Sequence, residues 1–90
     1  MNKKDIRRFE KIFKGVSNHR RIQILDFIHK NKGCVLDTIA NGLNCNIKTI
    51  SEHTRRLVQA GLVTKKYEGR FVLHNLSPYG KKMINIIRKF

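Results

Sequence analysis

Apolar residues recur at helical spacing from the start of the chain. Ile6, Phe9, Phe13 and Val16 share one face, which predicts a helix over residues 5–14 with Gly15 as its stop. Ser17, or Asn18 beside it, offers an N-cap for a second helix. That helix carries Ile22, Leu25, Ile28 and His29 on a face widened by Ile24 and Phe27, and ends near Asn31 and Gly33. After a short entry at Cys34 and Val35, Asp37 or its neighbour caps a brief helix over residues 38–41. Ile39, Ala40 and Leu43 are its apolar positions, and Gly42 breaks it. Asn44-Cys45-Asn46 reads as a turn, with Asn46 as the next N-cap.

The following helix runs from about Ile47 to Gln59. Ile47, Ile50, Thr54 and Leu57 form a single stripe, and Gly61 ends the helix. The pattern then changes to alternation. Residues 62–67 predict an edge-type strand and residues 71–76 its partner, joined by a Glu68-Gly69 turn in which glycine supplies a positive φ. Ser77 caps a last helix and Pro78 suits its first position, with Met83, Ile84, Ile86, Ile87 and Phe90 on the apolar side. The expected fold is mainly α with a small β-hairpin, in the order α-α-α-α-β-β-α, one domain over residues 1–90. A short helix, a tight turn and a second helix make a helix-turn-helix unit. In that unit the second helix enters the DNA major groove, and its first residues meet base edges.

Charge sharpens this picture. Lys and Arg number 20 against 6 Asp and Glu, a net +14 over 90 residues. Such a surface attracts polyanions, and its self-repulsion is relieved by a counter-charged partner. There is no apolar run of spanning length, and the charged N-terminus lacks the apolar stretch of a signal peptide, so a cytoplasmic, nucleoid-associated protein is expected. The basic first helix could lie on an anionic membrane, but Asp5 and Glu10 interrupt its polar face and the core needs its apolar face. Cys34 and Cys45 imply no disulfide framework.

The segment T-I-S-E-H-T-R-R-L-V-Q-A-G-L-V, Thr49 to Val63, resembles the T-V-S-x-H-L-x-x-L-x-x-A-G-L-V pattern of ArsR-type winged helix-turn-helix repressors. V-S-N-H-R-R-I-Q-I-L is similar to that family's L-S-D-P-T-R-x-x-I-L, with Arg21 at the family's arginine. L-D-T-I-A-N-G-L resembles its short first motif helix, and E-G-R-F-V-L its wing. L-S-P-Y-G-K-K is closer to the ending of MarR-like relatives. The resemblance covers residues 10–80 and implies a DNA-binding regulator whose first and last helices form a dimer. Two departures stand out. Thr54 and Arg56 replace apolar residues, so the recognition helix is more polar. The metal-sensing Cys-x-Cys is absent, since Leu36 takes the second cysteine's place, and the last helix has neither His nor acid.

The candidate residues follow. On the recognition helix, Lys48, Thr49, Ser51, Glu52, Arg55 and Arg56 face DNA. Arg can bond guanine bidentately and Glu can accept from cytosine, while the plainer reading is a solvated helix face. The resemblance also places His53 near DNA, although a half-buried histidine bonding backbone fits as well. Lys65, Lys66, Tyr67 and Arg70 flank the hairpin tip, for phosphate or minor-groove contact or as lysines that protect a sheet edge. Ile6, Phe9 and Phe13 at one end, with Ile84, Ile87 and Phe90 at the other, exceed what one small core covers and are assigned to a homodimer interface over residues 1–15 and 77–90. No metal site, cofactor site or catalytic set is expected. The reading is a double-stranded-DNA-binding transcriptional regulator, a repressor. Its rivals are a sequence-neutral architectural DNA binder and a winged-helix protein-interaction module.

Overall fold

The computed structural model describes residues 1–90. Its elements are α1 (Lys3–Val16), α2 (His19–Lys30), α3 (Leu36–Gly42), α4 (Ile47–Gln59), β1 (Val63–Glu68), β2 (Phe71–Leu76) and α5 (Pro78–Arg88), in the order expected. Side-chain caps start four of the helices. Asn2 Oδ1 accepts from the Asp5 amide, Asn18 Oδ1 from those of Arg20 and Arg21, Asn46 Oδ1 from that of Lys48, and Ser77 Oγ from that of Gly80. Each satisfies an amide that has no partner inside its helix. Asn18 rather than Ser17 is therefore the cap of α2. Asp37 caps nothing: α3 begins at Leu36, and Val35 at its N-cap position makes no side-chain bond.

Ile24, Leu25 and Ile28 of α2, Ile39 of α3, Ile50 and Leu57 of α4, and Leu62 are sealed from solvent and hold the helices together. Full burial of such side chains is worth about 1.5–3 kcal/mol each. Ile12, Val16, Met83 and Ile84 close the core from α1 and α5. The strands pair antiparallel from Val63 opposite Leu76 to Glu68 opposite Phe71. The turn is thus Gly69-Arg70, one residue later than expected, with Gly69 at φ 58°. Cys34 adds an isolated bridge to His74, in which the His74 amide donates to the Cys34 carbonyl at 2.9 Å and the Gly33 amide donates to the His74 carbonyl at 3.0 Å. The entry to α3 is thereby sewn to the wing.

Several apolar positions sit elsewhere than their spacing implied. Ile22 is on the exposed side of α2, because α2 turns Ile24, Leu25 and Ile28 inward. Ile47 is 42% exposed, since α4 enters its core contacts only at Ile50. Gly15 does not stop α1 but lies inside it, where a Cβ would overlap the Ala60 side chain at the end of α4. This glycine is needed for close approach of two helices.

Gly80 has the same use with less room. A Cβ there would overlap the Leu62 carbonyl oxygen and press on Leu76 Cβ at 3.3 Å. The first turn of α5 is fixed against that backbone, because the Ser77 amide donates to the Leu62 carbonyl and the Ser77 hydroxyl to that of Gly61. Gly80→Ala is therefore expected to cost about 1–3 kcal/mol, as overpacking does. Thermal unfolding should move down by about 4–8 °C for each kcal/mol; an unchanged midpoint would show that α5 shifts freely. Thr54 makes the opposite case. It is buried at 1% exposure with its hydroxyl unpartnered. Thr54→Val should raise stability by about 1 kcal/mol by removing an unsatisfied polar atom, and a lower unfolding midpoint would contradict this.

Candidate nucleic-acid interface

The burial of Ile50, Thr54 and Leu57 fixes which way α4 faces. Lys48, Thr49, Ser51, Glu52, Arg55 and Arg56 are all exposed, while His53 is half-buried on the flank beside α2. The exposed residues form a cationic polar surface along α4, anchored by its opposite side.

Glu52 organises that surface. Arg55 donates to it through Nη2 at 2.6 Å and Nε at 3.2 Å, and Arg56 donates through Nε at 3.2 Å. The Arg55 hydrogen bond, and that of Arg56 with it, hold the Glu52 carboxyl below the usual carboxylate range. All three groups are open to water, so the cluster adds little to stability. Its effect is to hold both guanidinium planes along the helix surface, with donor N–H groups left for an outside acceptor.

His53 is held from behind. Arg21 Nε donates to His53 Nδ1 at 3.2 Å, while Arg21 Nη1 reaches the carbonyls of Lys14 and Gly15 at 3.3 Å each. Arg21 thus caps the C-terminal end of α1 and ties it to α2 and α4. An Nδ1 that accepts leaves the ring proton on Nε2. Burial first, then the charges of Arg21 and Arg20, pushes the His53 pKa down. Sequence reasoning placed Arg21 only at a family position. Its partners lie 32 residues ahead and 6 to 7 behind, which no local spacing encodes.

The wing stands beside the other flank of α4. Lys65, Lys66 and Tyr67 are exposed on β1, and Arg70, in the turn, lies over the Phe71 ring at 5.6 Å. Lys66 pairs with Glu68 at 3.3 Å. Ile47, Arg70 and Phe71 line a cleft of about 340 Å³ between the start of α4 and the wing.

The wing is anchored through a buried histidine. His74 Nδ1 lies 3.0 Å from the Cys34 carbonyl and donates to it, so Nε2 is a buried acceptor with no partner. Burial foremost, and then Lys65 across the strands, pushes the His74 pKa down against the pull of that hydrogen bond. Burial pushes the Cys34 thiol up, away from the reactive thiolate, and both cysteines are free. A pH dependence follows. His53 and His74 both bind protons less readily folded than unfolded, so between the ordinary histidine pKa of about 6.5 and their lower folded values the unfolded state takes up more protons. Stability is full above that value and falls as pH drops below it. Denaturant midpoints at pH 7.5 and 5 should show the decline, and a flat profile would contradict the burial of these rings.

The apolar residues assigned to the two ends divide. Ile6 and Phe13 are 53% and 57% exposed, Phe90 lies past the end of α5 in full solvent, and Phe9 and Ile87 are half-buried against the core. Ile84 is 1% exposed and belongs to the core itself, because it sits on the inward side of α5; Ile86, at 51%, takes the outward place. Phe9, Ile12, Phe13, Tyr79, Met83 and Ile86 line a groove of about 350 Å³ between α1 and α5. No group of three or more His, Cys, Asp or Glu is placed to hold a metal, and no helix is long and apolar enough to cross a membrane.

Known proteins share this geometry. HlyU, a transcriptional regulator from Vibrio vulnificus CMCP6, is 29% identical with a TM-score of 0.77, covering 99% of this chain and 97% of that one. The homodimeric winged helix-turn-helix DNA-binding domain of Mb0332 from Mycobacterium bovis is 22% identical with a TM-score of 0.85, covering 98% of this chain and 83% of that one. The transcriptional repressor PagR of Bacillus anthracis is 15% identical with a TM-score of 0.87, covering 96% and 99%. The last two show the fold alone. No match was found among the curated proteins. The MarR family model matches residues 18–67, which hold α2, the helix-turn-helix unit of α3 and α4, and β1 as far as Tyr67, ahead of the L-S-P-Y-G-K-K segment that carried the MarR-like resemblance. That match spans more than half of the chain, which therefore belongs to the MarR family and is a winged helix-turn-helix, DNA-binding transcriptional regulator.

Proposed function

We propose that the protein acts as a repressor, binding a two-fold symmetric site in double-stranded DNA as a homodimer. The observation that carries this reading is the cationic face of α4, held outward by Ile50, Thr54 and Leu57 with the wing beside it. On this reading α4 lies in the major groove. Lys48, Thr49, Ser51 and Glu52, near its N-terminal end, meet base edges, and Arg55 and Arg56 meet bases or phosphates. His53 offers its Nε2 proton to a phosphate. Lys65, Lys66, Tyr67 and Arg70 meet the backbone or the adjacent minor groove.

The dimer rests on a second feature. Phe13 and Ile86 line the α1–α5 groove with exposed apolar surface, and Ile6 lies exposed on the same helix as Phe13; a second copy would cover them together with Phe9, Ile87 and Phe90. The Mb0332 domain of like fold is homodimeric, which supports the same arrangement here. Two copies related by a two-fold axis would read half-sites about one helical turn, ~34 Å, apart. The net charge of +14 also suits a sequence-neutral architectural binder, because phosphate attraction carries no base information. Selection of bound fragments from sheared genomic DNA separates the two. A repressor enriches fragments that share an inverted repeat, whereas recovery of fragments with no common motif would contradict base reading.

A further inference from the structure

α4 has two flanks. The wing occupies one, at Ile47 and Phe71. On the other, Lys11 and Lys14 of α1, Arg21 of α2, and Arg56 and Gln59 of α4 line a cleft of about 170 Å³ whose floor is Gly15 and Ala60. The close approach that requires Gly15 to lack a side chain also brings these cations together, because it seats the end of α1 directly on the end of α4. No carboxylate lines the cleft. Two acids outside the lining each pair with one of its cations, Glu10 with Lys14 Nζ at 3.6 Å and Glu52 with Arg56 Nε at 3.2 Å, which leaves Lys11 and Arg21 without a carboxylate partner. Lys4, Arg7, Lys11 and Lys14 recur at i, i+3, i+7 and i+10, so an exposed cationic stripe runs along α1 into the cleft.

We propose that this α1–α2–α4 cleft seats the DNA phosphodiester backbone on the side of the major groove opposite the wing, with the α1 stripe extending the footprint along that strand. The inference rests on the reading of α4 as the groove helix. A groove about 12 Å wide is walled by two sugar-phosphate strands. A helix lying in it turns one flank to each wall. The wing serves one strand and the cleft serves the other. Arg21 and Arg56 hold their guanidinium groups at the cleft through bonds to the Lys14 and Gly15 carbonyls and to Glu52, and the exposed Lys11 and Lys14 add charge beside them. Contacts of this kind fix register and add affinity without reading sequence.

The test uses the full chain and the double variant Lys11→Gln/Lys14→Gln, titrated across salt on a duplex recovered by genomic selection and on its shuffled copy. Lys32→Gln/Lys81→Gln, on the separate α2–α5 cleft, removes equal charge elsewhere. Circular dichroism and light scattering verify that both variants keep the fold and mass of the parent. The first variant should lower the slope of log affinity against log salt by about 0.9 for each phosphate that is no longer neutralised, about 1.8 per subunit. It should weaken both duplexes by the same factor, while the control variant leaves the slope near that of the parent. An unchanged slope, an equal fall in the control, or a weakening confined to the selected duplex would each overturn the proposal. Absence of DNA binding by the unsubstituted protein would instead overturn the groove-helix reading on which it stands.

Discussion

Raising the salt from about 50 to 200 mM is expected to weaken binding to duplex DNA by about 10³–10⁵, if about six to ten phosphates are neutralised. The expectation follows from the surplus of 20 Lys and Arg over 6 Asp and Glu and from its placement. Each cation that meets a phosphate releases condensed counterions, and added salt opposes that release. The cations on the exposed face of α4, on β1 and in the turn, and in the α1–α2–α4 cleft are enough to supply that number of contacts in the proposed dimer. The check is the affinity for one duplex at several salt concentrations. Affinity that changes less than tenfold over this range would mean that most of these cations stay in solvent in the complex.

The second large effect concerns Arg55 and Arg56. Replacing both by Ala should reduce affinity for the operator by about 30-fold to 10⁴-fold for each subunit bound, taking about 1–3 kcal/mol for each good arginine contact to a base. Melting temperature should scarcely move, because both side chains are about half exposed at 48% and 52% and their pairing with Glu52 is a surface ion pair. The variant also leaves the Glu52 carboxylate without its two arginine partners in the field of the DNA polyanion, which adds repulsion to the missing attraction. Anisotropy titration of parent and variant on one duplex provides the measurement. Affinity retained in a folded double variant would remove the C-terminal half of α4 from the reading surface.

The sequence was most informative where punctuation was local. α4 has the bounds its pattern predicts because Asn46 caps its start and Gly61, at φ 80°, ends it in a conformation that other residues resist. Ser77-Pro78 marked the start of α5 for the same reason. Where a residue's environment depends on a distant segment, the pattern misled. Gly15 reads as a stop, yet it is a site of helix contact visible only once Ala60 is known to lie across from it. Ile47 and Ile50 share one stripe, but the core reaches only Ile50. Ile84 and Ile86 differ by about 200° around α5, and one is core while the other is surface. The polar face of α4 was legible, because its charged residues are what the buried stripe leaves over. The α1–α2–α4 cleft was not, since its cations come from three helices and each alone reads as solvated charge.

The central claim is that α4 reads base sequence. Its most direct test is fluorescence anisotropy at about 150 mM salt with two labelled duplexes of equal length and composition, one recovered by genomic selection and the other its shuffled copy. A sequence-reading repressor should hold the first at least about 10³-fold more tightly, the lower end of the usual gap between specific and non-specific binding. Equal affinities for the two, with the same steep salt dependence, would contradict the claim and leave phosphate attraction as all that α4 and the wing provide.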